Sequence, residues 1–251
     1  MQIGKEPNNI PIVIALDWGL IIHAVMRISD NFKMPSAIRV IFDAFIGLSL
    51  DLSMDIIAIR LDGGFWTWFG IPPTPQINWE SVCGVSWGNY YGWFCVLLIS
   101  SSILRIERIK IPEKFYKNRK VGSRFIILLI YIIATPVLST GILICCYFIQ
   151  YPIYFLTGNR VIGIIIVFGS AFIAITYYLI RFHPKINKTY SFEVVFLFIS
   201  MHLYFLLAFF FAGIINNLPL FLIFLIGNLF FAVLILAKSI YFKNKDKITV
   251  L

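Results

Sequence analysis

With 251 residues, 60% of them hydrophobic and only 13% charged, the chain is unlike a water-soluble domain, which carries about 25% charged residues. Its mean hydropathy of +0.88 comes from repeated apolar runs of about 20 residues, each long enough to cross a hydrocarbon layer of about 30 Å as a helix. The net charge of +9 sits at the ends of those runs and forms no aromatic-interleaved basic face for bases, which excludes nucleic acid as a partner.

These features predict an all-α, polytopic integral membrane protein, a single membrane domain over residues 1–251 with about seven transmembrane helices. The opening stretch, MQIGKEPNNIPIVIALDWG, has no basic leader before an uncharged apolar run, so no cleavable signal is expected. Spans are predicted at 11–29, 36–59, 89–106, 125–149, 160–181, 192–213 and 219–237. Pro136 is expected to kink the fourth, and Asn216, Asn217 and Pro219 to turn the chain between the last two.

The first span carries Asp17 about six residues from its start. The second carries Asp43, Gly47, Asp51 and Asp55 at intervals of four. Each such step rotates about 40° beyond a full helical turn, so the four form one drifting stripe. A carboxylate in hydrocarbon costs about 2.5 kcal/mol or more, so such residues are paired, protonated or functional. Two carboxylates a turn apart disfavour double ionisation, and one that keeps its proton is a candidate general acid. Asp17, Asp51 and Asp55 are expected at similar depth in the outer half of the membrane, converging on one polar pocket. The competing reading has Asp51 and Asp55 merely hydrogen-bonding neighbouring helices. Asp43, nearer the opposite end, leans that way, paired with a basic helix end.

After Asp62, Gly63 and Gly64 break the helix, and Trp66, Trp68, Trp79, Trp87 and Trp93 follow within 28 residues. Tryptophan favours the membrane interface, so a plain aromatic belt is one reading. Pro72, Pro73, Pro75, Gly84 and Gly88 support another: an ordered, non-helical cap over 60–89 whose aromatic faces stabilise a cation in the pocket.

Beyond the third span lies the basic segment 107–124, expected to anchor on anionic lipid rather than to dock a partner protein. The Phe-rich later helices, over 125–237, read as packing and lipid-facing surface, and 238–251 is a basic tail. An outward N-terminus and a cytoplasmic C-terminus put 18 of the 21 Lys and Arg on the cytoplasmic side, leaving Lys5, Arg60 and Arg160 outside. Cys83, Cys95, Cys145 and Cys146 form no CxxC pair, and His23, His183 and His202 are far apart in sequence. No disulfide framework, metal site or cofactor is expected.

The run LDLSMDIIAIRLDGGFWTW, followed by GVSWGNYYGWF, resembles the carotenoid biosynthesis membrane proteins, which include the carotenoid 1,2-hydratases and the bisanhydrobacterioruberin hydratases. Their DL-x-x-DP, W-T-W and G-V-P-x-x-N-x-x-G-W pattern maps onto Asp51, Leu52, Asp55, Trp66, Thr67, Trp68, Gly84, Val85, Asn89, Gly92 and Trp93. Pro11 and Trp18 match a further apolar helix. Ile56 and Ser86 stand where the family has proline, and a longer loop separates the halves of the motif. The likeness covers about residues 10 to 105. The family's upstream helices have no counterpart here, so a membrane partner supplying them is expected.

The resemblance implies a lyase of the cytoplasmic membrane of a prokaryote, hydrating a terminal isoprenoid double bond without a cofactor. Asp51 and Asp55 would be the acid and the base. Asp17, Asp62, Trp66, Trp68, Asn89 and Trp93 would contact a polyisoprenoid or carotenoid substrate. Two alternatives stay open: a non-catalytic polyisoprenoid- or lipid-binding accessory protein, and an isomerase or cyclase using the same carboxylates.

Overall fold

In the computed structural model, residues 2–3, 10–61, 71–110, 140, 141, 144, 158–182 and 192–211 are described. They are mostly helical. A two-stranded antiparallel pair, β1 (Gln2–Ile3) and β2 (Ile10–Pro11), leads into α1 (Ile12–Asp30). A short link brings the chain back as α2 (Ser36–Ala58), with Pro35 at its N-cap in an extended conformation (φ −58°, ψ 147°) that a proline ring already favours. A tight hairpin, β3 (Ser81–Val82) and β4 (Val85–Ser86), then precedes α3 (Trp87–Lys110). α4 (Arg160–Phe182) and α5 (Phe192–Phe211) complete the described elements.

The first, second, third, fifth and sixth predicted spans coincide with α1, α2, α3, α4 and α5. α3 continues four residues further than expected, to Lys110. Apart from residues 140, 141 and 144, which are helical, the predicted fourth span lies outside the described residues. So do the seventh span with its preceding turn, residues 111–124 of the basic segment, and the basic tail. Among the described residues, α4 is the helix that meets both the length and the composition needed to cross a membrane, and Phe196–Phe211 in α5 is a shorter apolar stretch.

α2 is the centre of the packing and touches α1, α3, α4 and α5. With neighbours on all these sides it is buried almost all round from Val40 to Ile59, its aspartates included. Its core partners include Val25 and Met26 of α1, Phe94 and Leu97 of α3, and Phe198 and Phe209 of α5. The outer faces of α4 and α5 stay bare: Phe172, Ile173, Ile180, Phe196, Leu203 and Phe211 are all exposed.

Candidate functional site on helices α2 and α3

The four-residue stripe on α2 faces α3 along its length, and each member meets a different partner. Asp43 accepts hydrogen bonds from the Ser101 hydroxyl and from Arg105, whose Nη2 lies 2.8 Å away. Arg105 also donates to Ser29 Oγ at 2.6 Å and to Asp30 Oδ1 at 2.5 Å. Asp43 is therefore a neutralised structural anchor joining α1, α2 and α3, paired with a basic helix end as its position in the stripe suggested. Arg105 is buried in this cluster and is not an exposed lipid anchor.

One turn on, Gly47 lets the two helices meet closely. A Cβ at that position would stand 2.2 Å from Leu97 Cδ1, closer than side-chain atoms can approach.

Asp51 and Asp55 occupy the next two turns and are 0% and 2% exposed. The side-chain amide of Asn89 supplies its two N–H groups to them, reaching Asp51 Oδ2 at 3.1 Å and Asp55 Oδ2 at 2.5 Å. One amide thus holds two carboxyl groups side by side. Among the described residues, neither forms an ion pair with Lys, Arg or His. This separates them from Asp43, which sits on the same stripe with its countercharge in place.

Trp93, one turn beyond Asn89 on α3, is buried, and its ring centroid lies 4.0 Å from that of Trp18 on α1. Asp17, although adjacent to Trp18, is exposed. With its side chain in the open while the neighbouring Trp18 packs inward, Asp17 does not join the buried pair. Asp62, Trp66 and Trp68 lie outside the described residues.

Above this end of α2 the chain forms a cap. Cys83 (φ 59°) and Gly84 (φ 85°) make the two-residue turn between β3 and β4, both in the left-handed conformation that the twist of a tight hairpin requires. A side chain on Gly84 would also meet Pro73 Cα at 2.7 Å. Asn78 Oδ1 accepts from the backbone N–H groups of Glu80 and Ser81, and the Trp87 indole donates to Asn78 O.

Arg60 ties the cap down, donating to Ile56 O at the end of α2 and to Thr74 O and Cys83 O in the cap. Burial lowers its guanidinium from the ordinary value, and the same burial pushes the Cys83 thiol up to about 11. Positive-inside counting treats Arg60 only as an outlier, and its role as a clamp is not legible there. The only hint is one arginine among the Gly- and Pro-rich breakers.

Among the described residues, no group of three or more His, Cys, Asp or Glu side chains is placed to hold a metal ion. What the arrangement offers is proton chemistry: two adjacent carboxyl groups and one amide that positions both, with the Trp93–Trp18 pair one turn along α3 from that amide.

A family model for carotenoid biosynthesis proteins matches residues 2–166, further in both directions than the motif resemblance over about residues 10 to 105. No curated protein and no solved structure matches the chain. The matched stretch contains α1, α2 and α3, and with them Asp51, Asp55, Asn89 and Trp93. The chain belongs to the carotenoid biosynthesis protein family.

Proposed function

We propose that the protein is a multi-pass membrane enzyme that hydrates a terminal isoprenoid double bond of a carotenoid, using the Asp51–Asp55 pair as acid and base. The observation that carries this reading is the pair itself: two buried carboxyl groups bridged by Asn89, with no ion-pair partner among the described residues. Two such groups resist double ionisation, so one of them holds a proton that it can deliver. Family membership supports a carotenoid or isoprenoid as the substrate.

The chemistry needs no cofactor. A carboxylic acid gives its proton to the less substituted alkene carbon, and the π pair forms the new C–H bond. A tertiary cation remains on the neighbouring carbon. The Trp93–Trp18 pair, one turn along α3 from Asn89, would offer it π faces, which favour a cation over neutral hydrocarbon. Water then forms the C–O bond and passes a proton to the second carboxylate. The pair ends as it began, with one proton.

Membranes containing the protein, supplied with an acyclic carotenoid that ends in isopropylidene groups, should form the tertiary alcohol. Asp51→Asn and Asp55→Asn keep the shape but cannot perform the proton transfers. Each should lower alcohol formation by about 100-fold or more while leaving the amount of protein in the membrane unchanged. Alcohol formed at the normal rate by both variants would refute the acid–base reading. Rearranged alkene without alcohol in the wild-type reaction would point to the isomerase.

A further inference from the structure

Two polar atoms at this site are left over once the bridging by Asn89 is counted. Tyr90 follows Asn89 on α3 and is 1% exposed, packed within the same core as α2. Its hydroxyl has no hydrogen-bond partner among the described residues, and neither does Oδ1 of the fully buried Asp51. A buried tyrosine hydroxyl and a buried carboxyl oxygen are rarely left unpaired, because each forfeits its hydrogen bonds to water. The two belong to one neighbourhood, since Tyr90 directly follows Asn89 on α3, whose amide donates to both Asp51 and Asp55, and its phenol is within electrostatic reach of both carboxyl groups. Arg60 and Cys83 act on it too, but Arg60 spends its hydrogen bonds on Ile56, Thr74 and Cys83 carbonyls.

The chemistry of the reactants narrows what these atoms are for. The end of an acyclic carotenoid is hydrocarbon and has no group that hydrogen-bonds. Water is the one polar reactant in a hydration. We infer that the Tyr90 hydroxyl and Asp51 Oδ1 hold the attacking water between them, which makes Tyr90 a catalytic residue of the water-addition step. The inference rests on the hydration chemistry proposed above and assigns its two halves: Asp55 is the acid and Asp51 the base.

Asp55 gives its proton to the alkene carbon and becomes a carboxylate. The water oxygen, oriented by the phenol, forms the C–O bond to the cation, and its proton goes to Asp51. A proton then returns across the Asn89-bridged pair to Asp55. Without an oriented water, the cation survives only until a proton is lost again, which regenerates alkene.

That difference supplies the test. The reaction is run in D2O with the full-length protein in membranes, and two quantities are read: alcohol formed, and deuterium at the protonated carbon of the recovered alkene. Tyr90→Phe keeps the ring and removes only the hydroxyl. It should lower alcohol formation about 10-fold or more while deuterium continues to enter the alkene. Alcohol at the wild-type rate would overturn the assignment, as would parallel loss of alcohol and deuterium exchange. Should Tyr90→Phe fail to reach the membrane, Asp51→Asn provides the same reading, with exchange expected to persist as alcohol falls. Loss of both there would overturn the assignment. A wild-type protein that forms neither product would refute the hydration reading itself, separately from any Tyr90 result.

Discussion

Asp43 and Asp51 lie two helical turns apart on one face of α2, both fully buried, yet among the described residues only Asp43 has a countercharge. Removing one partner from a buried ion pair leaves the other charge stranded, which costs about 3–5 kcal/mol, whereas replacing both with apolar side chains costs far less. Arg105→Met should therefore destabilise the protein by about that amount, seen as a lower unfolding temperature in detergent. The double variant Asp43→Leu with Arg105→Met should recover most of the loss. Asp30 is left only partly buried and keeps Arg39 at 3.7 Å, so it adds little to the deficit. Unfolding of Arg105→Met at the wild-type temperature would show that the cluster is not what joins α1, α2 and α3. At Asp51 and Asp55 the same logic points to function, because among the described residues no countercharge offsets their burial.

Helix α2 owes its position against α3 to the absence of a side chain at Gly47. The crossing there sets the distance over which Asn89 reaches its two aspartates. Gly47→Val would drive branched carbons into Leu97, which is fully buried and cannot swing into solvent. The expected cost is about 1–3 kcal/mol, from overpacking. Alcohol formation should fall with it, because the two helices separate at the site. Leu97→Ala in the same chain frees the space and should restore both stability and activity. Independent, additive losses in that double variant would contradict a direct contact. The four-residue spacing from Asp43 to Asp55 is enough to define a stripe along one helix. That Gly47 belongs to it as the contact point, and that Leu97 fills the opposite side, depends on how α3 is set against α2.

Across the whole molecule, the charge bias predicts that the Asp51–Asp55 end of α2 and the cap over it face outward. Gln76 is exposed in that cap. With Cys145 and Cys146 replaced by serine, Gln76→Cys in intact cells should react with a membrane-impermeant maleimide. The native Cys83 should stay silent under the same conditions. It is buried, and with its thiol pushed up to about 11 it holds almost no reactive thiolate at pH 8. Labelling of Gln76→Cys only after the membrane is opened would invert the topology.

Periodicity and composition are local properties, and they are enough to place five helices within a few residues and to single out the aspartate stripe, whereas Asn89 and Trp93 enter the site only through the family resemblance. The Pro- and Gly-rich stretch after α2 is also readable as an ordered cap, although its hairpin turn at Cys83–Gly84 and its clamp by Arg60 are not. What local pattern does not decide is partnership. Asp17 and Asp51 look alike in sequence, but one is exposed on α1 and the other is sealed between α2 and α3. Arg105 counts among the basic helix ends, yet its charge is spent inside, on Asp43 and Asp30. Tyr90 falls on an unspecified position of the motif and becomes notable only because its hydroxyl is buried near two carboxyl groups. Each of these outcomes is decided by the register between helices tens of residues apart in the chain. Side chains that close on one another across such an interface leave no periodic signal in either stretch of sequence.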